Sequence, residues 1–179
     1  GGSPALYGDR LIVKRDHQGP GFIAVLDTKD GREVWKKDRS ETDTWGTPLV
    51  VTTDKSVQVI VTATGKTRSY NLANGDVIWE CGGQVRNVIP SPVAGHGLVF
   101  ALSGYQGHSL QAIRYDRTGD RTGTDAVAWS LNRSTPYVPS PLLYDNLMYF
   151  PPAPTAPPSC SQPPPGNRSR DTTRTAGSG

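Results

Sequence analysis

The side chains best able to do chemistry are few and scattered. Histidines stand at 17, 96 and 108, and no two share the close spacing that builds a metal site. His17 follows Asp16 in what reads as a turn pair, and His96 lies in the turn sequence "AGHG". Cys81 closes a predicted strand and Cys160 lies in a proline-rich tail, so the pair makes no disulfide framework and fixes no redox compartment. There is no Ser-His-Asp grouping and no G-x-S-x-G, and no phosphate loop or dinucleotide fingerprint. "NRST" (132–135) and "NRSR" (167–170) fit the glycosylation pattern, a tripeptide common by chance. What does recur is a spacing with no catalytic meaning: Gly31 and Gly75 each stand four residues before a tryptophan, Trp35 and Trp79. That spacing asks for a structural explanation, and the elements around it supply one.

The chain has 179 residues, enough for one domain with a real core. Apolar residues make up only 35%, but the deficit is local. Residues 151–179 contain no Val, Ile, Leu, Met, Phe, Tyr or Trp, yet hold eight of the sixteen prolines. The tail also carries +2 of the net charge of +3. In the body, Lys and Arg alternate with Asp and Glu, as in "RDHQ" (15–18) and "KKDRSETD" (36–43), which reads as solvated surface. A nucleic-acid partner would need clustered cations, so none is expected. No apolar run is long enough to span a membrane as a helix, and no signal peptide opens the chain.

Two markers repeat in step. Trp35, Trp79 and Trp129 are separated by 44 and 50 residues, and Pro4, Pro48, Pro92 and Pro141 by 44, 44 and 49. Between markers lie short segments rich in β-branched and aromatic residues and bounded by turn residues: 11–15, 22–27, 33–37, then 57–64, 68–72, 76–81, then 98–103, 110–115, 127–132. A further strand at each proline makes four per unit, and no segment has a helical period. Four short antiparallel strands every ~45 residues predict β-propeller blades. The units are 3–46, 47–90, 91–139 and an incomplete 140–150. Each proline fits the start of an innermost strand. Gly31 and Gly75 fit tight turns that need positive φ, and the tryptophan after each turn fits the outer strand, covering the gap to a neighbouring blade. The extra residues of the third unit, "DRTGDRTGTDA" (116–126), read as a lengthened turn that displaces Trp129.

The segments "FIAVLDTKDGREVWKKDRSETDTWGTPLVV", "TRSYNLANGDVIWECGGQVRNVIPSPVA" and "TPYVPSPLLYDNLMYF" resemble the tryptophan-docking repeats of PQQ-like β-propeller proteins. That superfamily includes quinoprotein alcohol dehydrogenases and the propeller lipoprotein of the outer-membrane barrel assembly machinery. The resemblance covers 1–150 and implies an all-β partial propeller, with Gly31, Gly75, Trp35, Trp79 and Trp129 as structural docking residues. It also implies an extracytoplasmic, periplasmic location. In the quinoproteins an aromatic near the axis floors the cofactor pocket. Trp45, three residues before Pro48, enters the innermost strand near that place; it reads first as a core residue on the inner rim and otherwise as such a floor, and Arg86, Asn87 and Tyr137 lie on equivalent loops; these four are the ligand-facing candidates.

Propellers of this kind usually close with seven or eight blades, so 1–150 reads as a slice of a larger ring, and 151–179 as a disordered Pro-rich tail, either a linker or a shifted reading frame. Three functions are compatible with the sequence. The first is a non-catalytic scaffold for protein or small-molecule ligands, partnered by further blades or another protein. The second is part of a PQQ-dependent dehydrogenase, which would need PQQ with calcium. Such enzymes typically carry an adjacent Cys-Cys pair, a calcium-binding carboxylate and amide, and a catalytic Asp. No Cys-Cys occurs here, so no cofactor is expected. The third is a truncated product with no role of its own.

Overall fold

The computed structural model describes residues 2–151 and the backbone of 159–161. No described residue is helical, and the strands fall close to where alternation and turn chemistry place them. The first blade is β1 (Ala5–Tyr7), β2 (Arg10–Arg15), β3 (Gly21–Asp27) and β4 (Glu33–Arg39). The second is β5 (Leu49–Thr52), β6 (Val57–Ala63), β7 (Lys66–Asn71) and β8 (Val77–Gly82). The third is β9 (Val93–Gly95), β10 (Leu98–Ser103), β11 (Ser109–Arg114) and, beyond the short β12 (Gly119–Asp120), β13 (Val127–Leu131). A partial fourth holds β14 (Leu142–Tyr144), β15 (Leu147–Phe150) and β16 (Ser159–Ser161). Within each blade, sequential strands pair antiparallel from the inside out. The protein is thus an all-β partial propeller of three blades and part of a fourth.

Because side chains alternate across a strand, each blade has two faces, and the registers show how they meet. On one face run the rows Ala5↔Ile12↔Val25↔Trp35, Leu49↔Ile60↔Ser69↔Trp79 and Val93↔Phe100↔Ala112↔Trp129. On the other run Leu6↔Leu11↔Leu26, Val50↔Val59↔Tyr70 and Ala94↔Val99↔Ile113, with Leu143↔Met148 in the partial blade. The tryptophan row of each blade packs on the second row of the next. Ile12, Ile23, Val25 and Trp35 meet Val59, Val61, Tyr70 and Leu72. Ile60, Trp79 and Cys81 meet Val99, Ala101 and Ile113, and Phe100, Leu102 and Ala112 meet Met148 and Phe150. Each buried aliphatic contributes about 1.5–3 kcal/mol relative to leaving it exposed, so the core lies between blades rather than within any one.

The insertion does not displace Trp129. It pairs with Ala112 as Trp35 pairs with Val25 and Trp79 with Ser69, each beside a β-bulge. Nor is the insertion only a longer turn. Gly119–Asp120 forms β12, which runs parallel to Trp79–Glu80 on the outer edge of the second blade. Arg121 N donates to Glu80 O at 2.7 Å and Gly82 N to Thr122 Oγ1 at 2.9 Å. An otherwise open sheet edge is thereby paired by the neighbouring blade. Backbone pairing also continues past Phe150, where no further strand was expected: Ser159–Ser161, a proline-free tripeptide, joins β15. The expected disorder of the rest of 151–179 concerns residues that lie outside those described.

The glycine-to-tryptophan spacing now has its cause. Gly31 and Gly75 both have φ of 74°. Their N–H groups donate to Asp27 O and Asn71 O, and the Asp27 and Asn71 side chains cap Lys29 N and Ala73 N. The ring of Trp35, from the preceding blade, lies over the Gly75 turn, so a Cβ there would meet Trp35 Cε3 at 2.6 Å; nothing lies within 4 Å of a Cβ at Gly31. Gly31→Ala is therefore expected to cost about 1 kcal/mol for backbone strain alone. Gly75→Ala adds roughly 1–3 kcal/mol of overpacking. Urea denaturation of the two variants checks this, and equal losses would mean that Trp35 is not seated on the turn.

Candidate functional site

The propeller axis is lined by β1, β5, β9 and β14, which stand beside one another. The segments leading into these strands hold the ligand-facing candidates, and they are tied around the axis by a ladder of hydroxyls. Thr47 N donates to Ser91 Oγ at 2.8 Å, and Ser91 N to Ser140 Oγ at 3.0 Å. These residues directly precede the marker prolines, so Ser or Thr before Pro is itself part of the repeat. The signal was present in "SPAL", "TPLV", "SPVA" and "SPLL", where only the proline carried the reading. Gly46 belongs to the same ring: a Cβ there would meet Pro90 O at 2.8 Å.

Trp45 is half-buried, and its backbone N–H donates to Val88 O at 2.8 Å. Arg86 is exposed, forms an antiparallel bridge with Tyr105, and donates from Nη1 to Gln106 Oε1 at 3.4 Å. Tyr137 packs tilted against Tyr105, with ring centroids 4.8 Å apart and an interplanar angle of 30°. Asn87 has φ of 51°, which accounts for its residue type through its tolerance of left-handed backbone. Arg86 and Tyr137 are thus brought together through Tyr105, and Trp45 joins them through the backbone at Val88. Tyr105 was missed because only the segments before the innermost strands were searched; the β10–β11 loop, "GYQGH" (104–108), opens on the same face. An arginine beside two tyrosines in contact offers cation–π, apolar and hydrogen-bonding contacts in one patch.

Beneath this face, between the first two blades, runs a buried chain of charges. The wholly buried Asp16 carboxylate accepts from Arg39 Nε at 2.7 Å and Nη2 at 3.1 Å, and from Thr44 Oγ1. Lys14 Nζ lies 3.3 Å from Asp16 and 2.6 Å from Thr44 Oγ1. Arg39 Nη1 donates to Tyr70 OH at 2.6 Å, crossing to the second blade, and Glu41 reaches Arg68 at 2.8 Å. Arg68 continues to Glu80 at 3.0 Å. This corrects the reading of "RDHQ" and "KKDRSETD" as solvated surface: Asp16, Arg39 and Glu41 from those stretches are interior. Nor is Asp16 merely half of a turn pair, although His17 does accept Gly19 N in a local turn.

Burial pushes the Lys14 ammonium down to about 8, against the attraction of Asp16. Burial would raise the Asp16 carboxyl, but the hydrogen bonds and charge of Arg39, with Lys14, hold it below the ordinary carboxylate range. A perturbed lysine suggests a catalytic base. Here the Lys14 side chain is 1% exposed, so no substrate reaches it and the network is structural. It does predict a pH dependence. Lys14 binds its proton more weakly folded than unfolded, so its burial penalty is fully felt below about pH 8 and relieved as pH rises towards 10.5. Burial of Cys81 pushes its thiol up to about 11, which removes stability above about pH 9. Stability should therefore rise between about pH 8 and 9 by up to ~1.4 kcal/mol per unit, measured by denaturant titration. Lys14→Met should flatten that rise, and an unchanged slope would remove Lys14 as its source.

On the opposite face, a cleft of about 480 Å³ opens between the turns of the first two blades, lined by Asp9, Arg10, Val34, Ser56, Asn71 and Leu72 among others. Its charged residues point to no particular chemistry. Among the described residues, no group of three His, Cys, Asp or Glu could hold a metal ion, and no helix is long and apolar enough to cross a membrane.

The family model described as outer membrane protein assembly factor BamB matches residues 1–151. Among solved structures, BamB from Moraxella catarrhalis is similar over 79% of this chain and 43% of its own, with 17% identity and a TM-score of 0.56. The quinohemoprotein alcohol dehydrogenase of Comamonas testosteroni is similar over 74% of this chain and 21% of its own, with 18% identity and a TM-score of 0.55. The chain thus spans less than half the length of either protein. No curated protein matches it in sequence.

Proposed function

Because the chain belongs to the family of the outer membrane protein assembly factor BamB, we propose that it is a non-catalytic extracytoplasmic scaffold, whose loop face binds a protein engaged in outer-membrane protein assembly. The observation that carries this reading is the patch of Arg86, Tyr105 and Tyr137, held on a rigid frame of stacked blades. Arg86 is exposed and the two tyrosines half-buried, and arginine and tyrosine on fixed backbone are the usual anchors of protein recognition. In this reading Trp35, Trp79 and Trp129 act between blades and not on the ligand.

The similarity to a quinohemoprotein dehydrogenase favours the second reading, a PQQ-binding blade set. The residues do not fit it. No adjacent cysteine pair exists, Cys81 is buried with its thiol pushed up to about 11, and the described residues offer no cluster of carboxylates for calcium. The two readings separate on a titration with PQQ and calcium, followed by absorbance and by dye-linked oxidation of alcohols. The scaffold reading expects neither a bound-quinone spectrum nor turnover. Turnover that disappears in Trp45→Ala would overturn it. A photo-crosslinker at Tyr137, presented with a purified unfolded outer-membrane β-barrel protein, should give adducts that one at Lys29 on the opposite face does not. Equal yields from both positions would rule out the loop face as the binding surface.

A further inference from the structure

On the loop face, each of the first three blades is tied to the segment that follows it, and the three junctions use different chemistry. In the first, Thr44 Oγ1 donates to the Asp16 carboxylate, which Arg39 and Lys14 hold in its charged form. In the second, Gly83 N donates to Gly65 O at 3.0 Å, backbone to backbone. In the third, Thr135 N donates to His108 Nδ1 at 3.2 Å. Thr135 is wholly buried there and also donates from Oγ1 to Ser103 O at 2.7 Å. A Cβ on Gly104 would meet Thr135 O at 2.5 Å, so the two backbones touch. Both segments bend through uncommon backbone beside the junction, with φ of 54° at Gln106 and 55° at Ser134. Histidine is the side chain whose charge ordinarily changes between about pH 5 and 8, so of these three junctions the third is the one a proton can open near neutrality.

The third junction sits between the two tyrosines of the loop-face patch. Tyr105 lies three residues before His108, Tyr137 two residues after Thr135, and their ring centroids are 4.8 Å apart. We propose that His108 is a positioning residue for this patch: its neutral ring, accepting Thr135 N–H, holds Tyr105 against Tyr137, and protonation of the ring lets them part. Donation from Thr135 N puts the neutral ring's own proton on Nε2. A charged ring carries a second proton on Nδ1, and two N–H groups then face each other. To use that proton the ring must turn to Thr135 O or Oγ1, 3.2 and 3.1 Å away, which leaves the buried Thr135 N–H without its acceptor. No carboxylate compensates the new charge. Segments 83–92, 104–108 and 132–141 contain no Asp or Glu, and their charged or titratable members besides His108 are Arg86, Arg133, Tyr105 and Tyr137. The flanking strands β10 and β13 hold no such group, and β11 has only Arg114, at its far end. The ring itself is half-buried, open to protons from solvent.

The test is NMR of the full 179-residue chain between about pH 8 and 5, following the His108 ring, the Thr135 amide and the contact between the Tyr105 and Tyr137 rings together. Ring-to-ring cross-peaks and a Thr135 amide protected from exchange are expected at the upper end, and both should fade with the midpoint of the His108 titration. His108→Asn keeps an acceptor near the place of Nδ1 without a titratable group, so both signals should persist across the range. His108→Ala should lack them throughout. A tyrosine contact that stays intact in the wild type at low pH, or in His108→Ala at high pH, would overturn the proposal. So would a loss in His108→Asn that follows pH as the wild type does. The consequence for a partner rests on the loop-face reading given above. With a photo-crosslinker at Gln106 and the same unfolded outer-membrane β-barrel protein, wild-type adducts should fall about tenfold from the upper to the lower pH, the ratio that one hydrogen bond supports, and those of His108→Asn should not. Adducts that do not fall while the tyrosines part would overturn the proposal. No adducts at either pH, with the tyrosines parting as expected, would overturn the loop-face reading and leave the His108 junction supported.

Discussion

Asp16→Ala is expected to lower the free energy of unfolding by about 3–5 kcal/mol, the range found when one member of a buried ionic network is removed. The loss does not come from a single contact. Without the carboxylate, Lys14 and Arg39 remain with side chains 1% and 0% exposed, and both lose their nearest anion. Lys14→Met should behave differently. It removes the one cation whose burial is poorly compensated, places a methionine opposite Ile23 on β3, and leaves Arg39 bidentate on Asp16; its stability should stay within about 1 kcal/mol of wild type. Guanidinium denaturation of the two variants at neutral pH decides the matter. If Asp16→Ala loses no more than Lys14→Met, the network is more solvated than its geometry shows.

Trp79→Ala should cost about 3–5 kcal/mol, with Trp35→Ala a little less and Trp129→Ala least. Trp79 is wholly buried, Trp35 is 7% exposed and Trp129 only half-buried. Hydrogen bonding follows the same order of enclosure. Trp79 Nε1 donates at 2.9 Å to Gln58 Oε1, and Gln58 Nε2 donates at 2.9 Å to Tyr115 O. Trp35 Nε1 reaches Leu72 O directly at 2.7 Å. Leu72 and Tyr115 each stand three residues past the partner of their blade's own tryptophan, so Gln58 relays the same link across a wider gap. Trp129 Nε1 has no partner among the described residues. Thermal melts of the three alanine variants give the ranking, and Trp129→Ala as damaging as Trp79→Ala would contradict it.

Much of the fold was legible because the repeat encodes local and long-range structure in the same residues. Val, Ile and Phe at alternate positions marked the strands, and the glycine turns marked their ends. Trp35 and Trp79 marked the outermost strand of each blade by their fixed place four residues after a glycine turn. What escaped notice was what depends on contacts between units. Asp16 and Arg39 lie in sequences where charges of both signs alternate, the pattern of a solvated strand, and only the fold brings them together 23 residues apart. Gln58 looks like any polar residue in an apolar strand until its three side-chain bonds, to Tyr115 O, Ser69 Oγ and Trp79 Nε1, are seen. The candidate patch was half visible: Arg86 and Tyr137 were found from the repeat, whereas Tyr105 sits on a loop whose partner is set by blade curvature.

The short parallel strand contributed by the third unit has a kinetic side. In a repeat array, stability is roughly the sum of unit terms and nearest-neighbour coupling terms, and that strand makes one coupling term larger than the others. The second and third blades should therefore behave as one cooperative block, with the first and the partial fourth opening from it separately. In native-state hydrogen exchange, the amides of β8 would then share the slow class of β10 and β11. Those of β4, the corresponding outer strand of a blade that receives no such strand, would exchange through a smaller, earlier opening.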